Sequence, residues 1–265
     1  MNIFSREMKA NLKSLLIWCS AQFFVIFSGM VKYSGYANSK IDINTLFQQF
    51  PKGLMAVFGI GEVDMSKIEG FYSMFFLFFM LLAAIHASTI GAVIISKEER
   101  DHSADFLFAK PVTRGKVITA KLAAGLVNVL IFNLVTLTCS LYFISLYNHG
   151  NPIADKVIII MIALLIFQVL FLCIGSALGA LIKTTRKATS WTSALLLGTF
   201  FLSIGIDIDK RIEFLKYVTP FKYFEAKSLM FGGAFQASSL IISAGLIGIC
   251  LFVTYVQYGK RDLTT

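Results

Sequence analysis

The apolar run FYSMFFLFFMLLAAIHASTIGAVII at 71–95 passes directly into SKEERDHSADFLFAKPVTRGKVITAK at 96–121. A helix needs about 20 mostly apolar residues to cross the hydrocarbon core of a bilayer, and the first run meets that length. A second apolar segment, Leu122–Tyr147, follows the charged island. The fold is therefore decided here: two membrane-crossing helices flank a polar loop far longer than a simple reconnection requires. The island carries acids first, then an apolar patch (Phe106, Leu107, Phe108), then Pro111, then bases at Arg114, Lys116 and Lys121. That order suits docking onto another protein at the membrane surface. The competing reading is a solvated loop whose bases only set topology.

Composition carries the same conclusion to the whole chain. Of 265 residues, 57% are hydrophobic and 15% charged, and mean hydropathy is +0.75. A soluble domain is about 45–50% apolar and about 25% charged. Six stretches are long and apolar enough to span, at about 12–31, 71–95, 118–147, 157–182, 188–206 and 236–257. The first, Leu12–Val31, lacks a small-residue cleavage site and is expected to span rather than be removed. Small residues recur within the spans (Gly175, Ser176, Gly179; Ser243, Gly245, Gly248), and in lipid such residues let helix backbones approach closely. The predicted fold is a single all-α membrane domain over residues 1–265. A net charge of +9 is explained by bases flanking the spans, so nucleic acid is not an expected partner; membrane lipid is.

Orientation follows from those bases. Arg6, Lys9, Lys13, Lys97, Arg100, Lys110, Arg114, Lys116, Lys121, Lys183, Arg186, Lys187, Lys260 and Arg261 fall on one side, fourteen of the 24 Lys and Arg. The other ten lie in longer loops, interleaved with acids. Bases close to span ends mark the cytoplasmic side, and Lys183, Arg186 and Lys187 in a very short loop are the cleanest marker. Both termini are then cytoplasmic in a multi-pass protein of the plasma membrane. Residues 1–11 place Ile3, Phe4 and Met8 near one helical face and Arg6 and Lys9 on another, which predicts a short interfacial helix before the first span; an extension of that span is the alternative. Two outer segments, 46–61 and 217–233, are apolar or aromatic but too short to span. They predict short helices at the outer surface, either as an exit gate or as aromatic anchors.

Motifs for chemistry within the chain are missing. There is no G-x-x-x-x-G-K-[ST] phosphate loop, no H-E-x-x-H and no Ser/His/Asp set. An intramembrane enzyme would need a catalytic cluster at one depth, and none is visible. No catalytic residue, metal site or cofactor in this chain is expected. Cys19, Cys139, Cys173 and Cys250 all sit in apolar spans without metal-ligand spacing, as inert packing residues do. The polar residues within spans are Gln22, His86, Asn128, Asn133 and Gln168. Such groups face the bundle interior and bond across helices. Of these, His86 and Asn133 are the candidates for contact with cargo. A carrier driven by protons or sodium keeps an ionisable residue inside a span; beyond His86 there is none, so the energy source is expected outside the chain.

The order Glu98, Ser103, Asp105, Leu107, Pro111, Arg114, Lys121 resembles the first cytoplasmic loop of type-2 ABC transporter permeases, the ABC-2 family. SREMKANLKSLLIW (5–18) resembles that family's opening helix. Phe50, Pro51 and Phe58–Gly59 are similar to its first extracellular region, Thr219–Phe224 to the stretch before its last helix, and Tyr258–Leu263 to its basic-Asp-Leu tail. His102 departs from the glycine the family carries there. The resemblance implies two such domains, identical or related, paired with a cytosolic ABC ATPase dimer that holds ATP and Mg. It implies that Glu98, Glu99, Asp105 and Arg114 make charged contacts with the ATPase, that Phe106 and Leu107 plug a groove on it, and that Pro111 belongs to the same coupling loop. It further implies export of an amphipathic or hydrophobic cargo. A non-transporting immunity or sensor component that sequesters a toxic peptide is the rival reading.

Overall fold

The computed structural model describes residues 3–37, 43–51, 53, 55, 63–100, 113–148, 152–182 and 184–260. In chain order these form α1 (Ile3–Ala37), α2 (Ile43–Gln48), α3 (Ile68–Arg100), α4 (Arg114–Tyr147), α5 (Ala154–Leu181), α6 (Thr185–Ile208), two 3-10 segments (Lys210–Tyr217 and Pro220–Lys222), α7 (Ala226–Met230) and α8 (Ala237–Lys260). Six of them, α1, α3, α4, α5, α6 and α8, are long and apolar enough to cross a membrane. The all-α architecture with six spans, an N-terminal helix and short helices beyond the spans is as the sequence predicts. One end of the bundle gathers the start of α1, the end of α3, the starts of α4 and α6 and the end of α8. It is called the near end below, and the opposite one the far end.

The core is built on α3 and α5, the two most buried spans. They run parallel and touch backbone to backbone. A Cβ added at Gly175 would lie 2.1 Å from the Ser88 carbonyl oxygen, one at Gly91 2.2 Å from the Leu172 oxygen, and one at Gly179 2.6 Å from the Ala92 oxygen. The fully buried alanines Ala83, Ala84, Ala87 and Ala92 continue the same stripe on α3. The remaining spans pack around this pair. Asn133 of α4 donates to the Met161 carbonyl and to Gln168 Oε1 of α5, each at 3.2 Å. Ser176 of α5 shares a 3.1 Å hydrogen bond with Thr254 of α8. Outward faces carry Leu16, Ile17, Phe24, Trp191, Phe201, Ile241, Ile249 and Phe252, all exposed, as lipid-facing surfaces do.

The expected break between an interfacial helix and the first span is absent, because α1 is continuous from Ile3 to Ala37. No glycine or proline interrupts its first turns, and Glu7, Met8, Ala10 and Leu12 are good helix formers. At about 1.5 Å per residue a helix of this length reaches well past a core of about 30 Å. The amphipathic start is thus an extension of the span.

At the far end the chain folds back onto the bundle. Asp209 accepts the Arg211 N–H at 2.9 Å to start the first 3-10 segment, and Pro220 opens the second, its fixed φ suiting a helical first turn. Phe221 is buried among Phe167, Phe171 and Phe200 of α5 and α6, with ring centroids 5.0, 5.7 and 5.3 Å away. The Thr219 hydroxyl donates to the Thr199 carbonyl at 2.7 Å. Lys222 is clamped between Asp207 and Glu225. Burial pulls its pKa down, but the charges and hydrogen bonds of Glu225 and Asp207 outweigh burial and hold it above the ordinary lysine value. The lysine charge is therefore present at neutral pH, and its contribution to the clamp is lost as pH rises through that raised value. The fold-back ends where Gly232 adopts φ 91°, a left-handed conformation that glycine takes without steric cost. Phe221→Ala is expected to destabilise the protein by about 3–5 kcal/mol, as large aromatic truncations in packed cores do; thermal unfolding in detergent reads the loss.

Candidate functional site

At the near end, the last turns of α3 are held by three different helices. The Lys121 ammonium of α4, fully buried, donates to the Ile94 carbonyl. The Thr185 hydroxyl at the start of α6 donates to the Ser96 carbonyl at 3.0 Å. The Lys97 side chain forms an ion pair with Glu7 of α1, whose side chain is fully buried; Arg6 lies 3.5 Å from the same carboxylate. Two of these contacts fall on backbone carbonyls of the last turns of α3, and the third is an ion pair between side chains. Around them, Ile94, Ile95, Ile118, Ala124, Ala180 and Tyr258 form an apolar cluster with Phe4 and Met8 packed on it.

The start of α4 is fastened as firmly. Thr113 caps it, its hydroxyl accepting from the Lys116 N–H at 3.4 Å. Arg114 Nη1 donates to the Gly259 carbonyl at the end of α8 at 2.8 Å, and the Thr119 and Tyr255 hydroxyls bond at 2.8 Å. The two roots of the 98–114 loop are thus joined to each other and to α1, α6 and α8. Of the predicted loop contacts, only Arg114 has a described side chain, and it turns to α8. Glu98 and Glu99 lie in the last turn of α3. Asp105, Phe106, Leu107 and Pro111 lie outside the described residues.

From this cluster a file of polar side chains runs up the seam between α1, α3 and α4. Asn128 Nδ2 donates to the Ala124 carbonyl at 2.8 Å and to Met8 Sδ at 3.3 Å. His86 stacks on Phe132 at 4.7 Å and meets the Trp18 ring at 6.1 Å. Gln22 follows Trp18 by one helical turn. Beyond it the Tyr72 hydroxyl donates to Ser140 Oγ at 2.6 Å. The sequence places these residues on one face of each helix, through steps of three and four. Asn128, His86 and Gln22 are all 0% exposed. Among the described residues, Asn128 Oδ1, both His86 nitrogens and both Gln22 amide atoms have no hydrogen-bond partner. Leaving such a group unpaired in a buried site costs about 1–3 kcal/mol.

A family model described as ABC-2 family transporter protein matches residues 1–263. The chain belongs to the ABC-2 transporter family. No curated protein matches it. Family members are membrane components of ABC transporters that generally work with an ABC ATPase and are not themselves enzymes. This ABC-2 protein is accordingly a multi-pass membrane protein and a permease component of such a transporter.

Its two candidate cargo residues part company in the structure. Asn133 is committed to Met161 and Gln168 and sits between α4 and α5. His86 lies in the other seam, with both nitrogens unpartnered among the described residues. Sequence reasoning missed Glu7, which stands among bases and reads as a solvated acid. A usable signal was its spacing: Glu7, Leu15, Gln22, Ile26 and Tyr33 share the buried face of α1.

Proposed function

We propose that this protein is the membrane permease of an ATP-driven ABC exporter, with the near end cytoplasmic and both termini on that side. The observation that carries the reading is the fastening of both roots of the 98–114 loop to α1, α6 and α8. A force applied to the loop reaches three other helix ends through short polar contacts rather than through slack chain. The resemblance supplies the source of the force, closure of a cytosolic ATPase dimer that binds ATP and Mg. Glu98, Glu99, Asp105 and Arg114 are its charged contacts, Phe106 and Leu107 its apolar plug, and Pro111 belongs to the same coupling loop. Two copies of this chain, or this chain and a related one, pair over that dimer. An amphipathic or hydrophobic cargo enters from the cytoplasm or the inner leaflet and leaves past the folded-back segment around Phe221.

The test is a detergent pull-down of tagged chain with an ATPase assay on what co-purifies. A stoichiometric cytosolic ATPase is expected. Asp105→Lys or Leu107→Asp is expected to abolish its coupled hydrolysis while expression is unchanged. A clean, ATPase-free chain, or coupled hydrolysis that survives both substitutions, overturns the exporter reading and favours the sequestering immunity or sensor component.

A further inference from the structure

We infer that the seam between α1, α3 and α4 is a water-admitting path inside a single chain, with Asn128, His86 and Gln22 as its hydrogen-bonding wall. The inference rests on the permease reading and deepens it by naming where the path runs. Three observations combine.

First, three of the buried side chains with unpartnered polar atoms fall in this one seam, while Gln168 and Ser243 lie on α5 and α8. Asn128 faces Met8 of α1, His86 is wedged between Trp18 of α1 and Phe132 of α4, and Gln22 stands one turn beyond Trp18. Along α4 the step from Asn128 to Phe132, on which His86 stacks, is about one turn, as is the step from Trp18 to Gln22 along α1, roughly 6 Å of helix axis each. They form a line along the bundle. Second, the chemistry is that of a path rather than a lock. Between them the three offer both donors and acceptors, and they are neutral amides and an imidazole set against aromatic rings. Such a wall receives water, or the hydroxyl or amide of an amphipathic molecule whose apolar body lies on Trp18 and Phe132. Third, the other large seam behaves in the opposite way. Between α3 and α5 the backbones are in contact through Gly91, Gly175 and Gly179, and between α4 and α5 Asn133 is already bonded to Gln168. Parting those seams exposes tight packing and made hydrogen bonds. The α1–α3–α4 seam is fastened at its two ends, by Lys97–Glu7 and Lys121 at one and by Tyr72–Ser140 at the other, and parting it between those fastenings lets unmade hydrogen bonds form. The solvated state of that seam is therefore favoured by groups that the closed seam leaves unpaired.

The test uses single cysteines at Gln22, His86 and Asn128. The background carries Cys19, Cys139, Cys173 and Cys250 replaced by alanine, with the partner ATPase present in membrane vesicles. A small, charged, membrane-impermeant thiosulfonate is applied without nucleotide and with ATP plus vanadate. Phe167→Cys, in the α5 core, is the dry control; Tyr217→Cys, exposed at the far end, is the accessible one. Labelling at the three seam positions in at least one nucleotide state, with none at Phe167→Cys, is expected. No labelling at any of the three in either state, while Tyr217→Cys reacts, overturns the path. Equal labelling at Phe167→Cys also overturns it, by showing that reagent reaches any interior position. Co-purification of the ATPase is scored separately. A labelled seam in a chain without ATPase keeps the path and removes the exporter; a dry seam with ATPase bound does the reverse.

Discussion

Gly175→Val is expected to destabilise the protein severely, because α3 and α5 touch backbone to backbone at that position. The valine Cβ would begin 2.1 Å from the Ser88 carbonyl oxygen and 3.0 Å from the Ala92 N. Both are backbone atoms of α3, so no side chain can swing aside. Overpacking a core costs about 1–3 kcal/mol when side chains can adjust; here α3 and α5 must separate along their whole contact, so the loss belongs at or above the top of that range. Gly245→Ala and Gly248→Ala are the matched controls, because nothing lies within 4 Å of a Cβ at either position. Size-exclusion profiles after a heating series in detergent separate the two outcomes. A Gly175→Val protein that melts with the controls would show that the two helices do not meet as described.

Glu7→Lys is expected to have an effect at least as large. The buried carboxylate pairs with Lys97 and lies near Arg6, and one turn away Lys121 is buried against the Ile94 carbonyl. Removing one partner of a buried ion pair costs about 3–5 kcal/mol, because the other charge is left without compensation. Inserting a cation adds repulsion to that loss. The start of α1 should detach from the end of α3, lowering the melting temperature and, on the proposed coupling, uncoupling hydrolysis by a partner ATPase. The exchange Glu7→Lys/Lys97→Glu rebuilds the pair in reverse and should recover part of both readouts. Equal defects in single and double variants would mean that shape, not charge, holds this joint.

The spans were legible because hydrophobic length alone specifies them, and the structure adds only their ends. Helix α4 begins at Arg114 rather than near 118, and Thr113, a favoured capping residue, marks that start. Which polar residue is satisfied was not legible. Asn133 and His86 read alike, as polar groups in apolar runs, and Gln168, which distinguishes them, sits on another helix. Glu7 was obscured for the same reason, since its burial is set by Lys97, far along the chain. The small residues of α5 announced close packing without naming α3 as the partner. Small side chains permit approach from any neighbour, and only topology chooses one. The loop contacts at Asp105, Phe106, Leu107 and Pro111 rest on the resemblance, as these residues lie outside those described.

The backbone contact at Ser88–Ala92 gives α3 a fulcrum. The helix has 33 residues, and at about 1.5 Å per residue it is about 50 Å long. Its closest approach to α5 lies roughly 15 Å from the Arg100 tip and about 35 Å from Ile68, on the same rise per residue. A stiff rod pivoted there is a lever with unequal arms. A small sideways displacement of the tip at the loop root is magnified about twofold at the opposite membrane face, where Tyr33 and Phe71 pack. On the proposed coupling, where the glycines sit along the rod would set how far a push at the loop root carries, and moving that stripe by one turn would change the gearing.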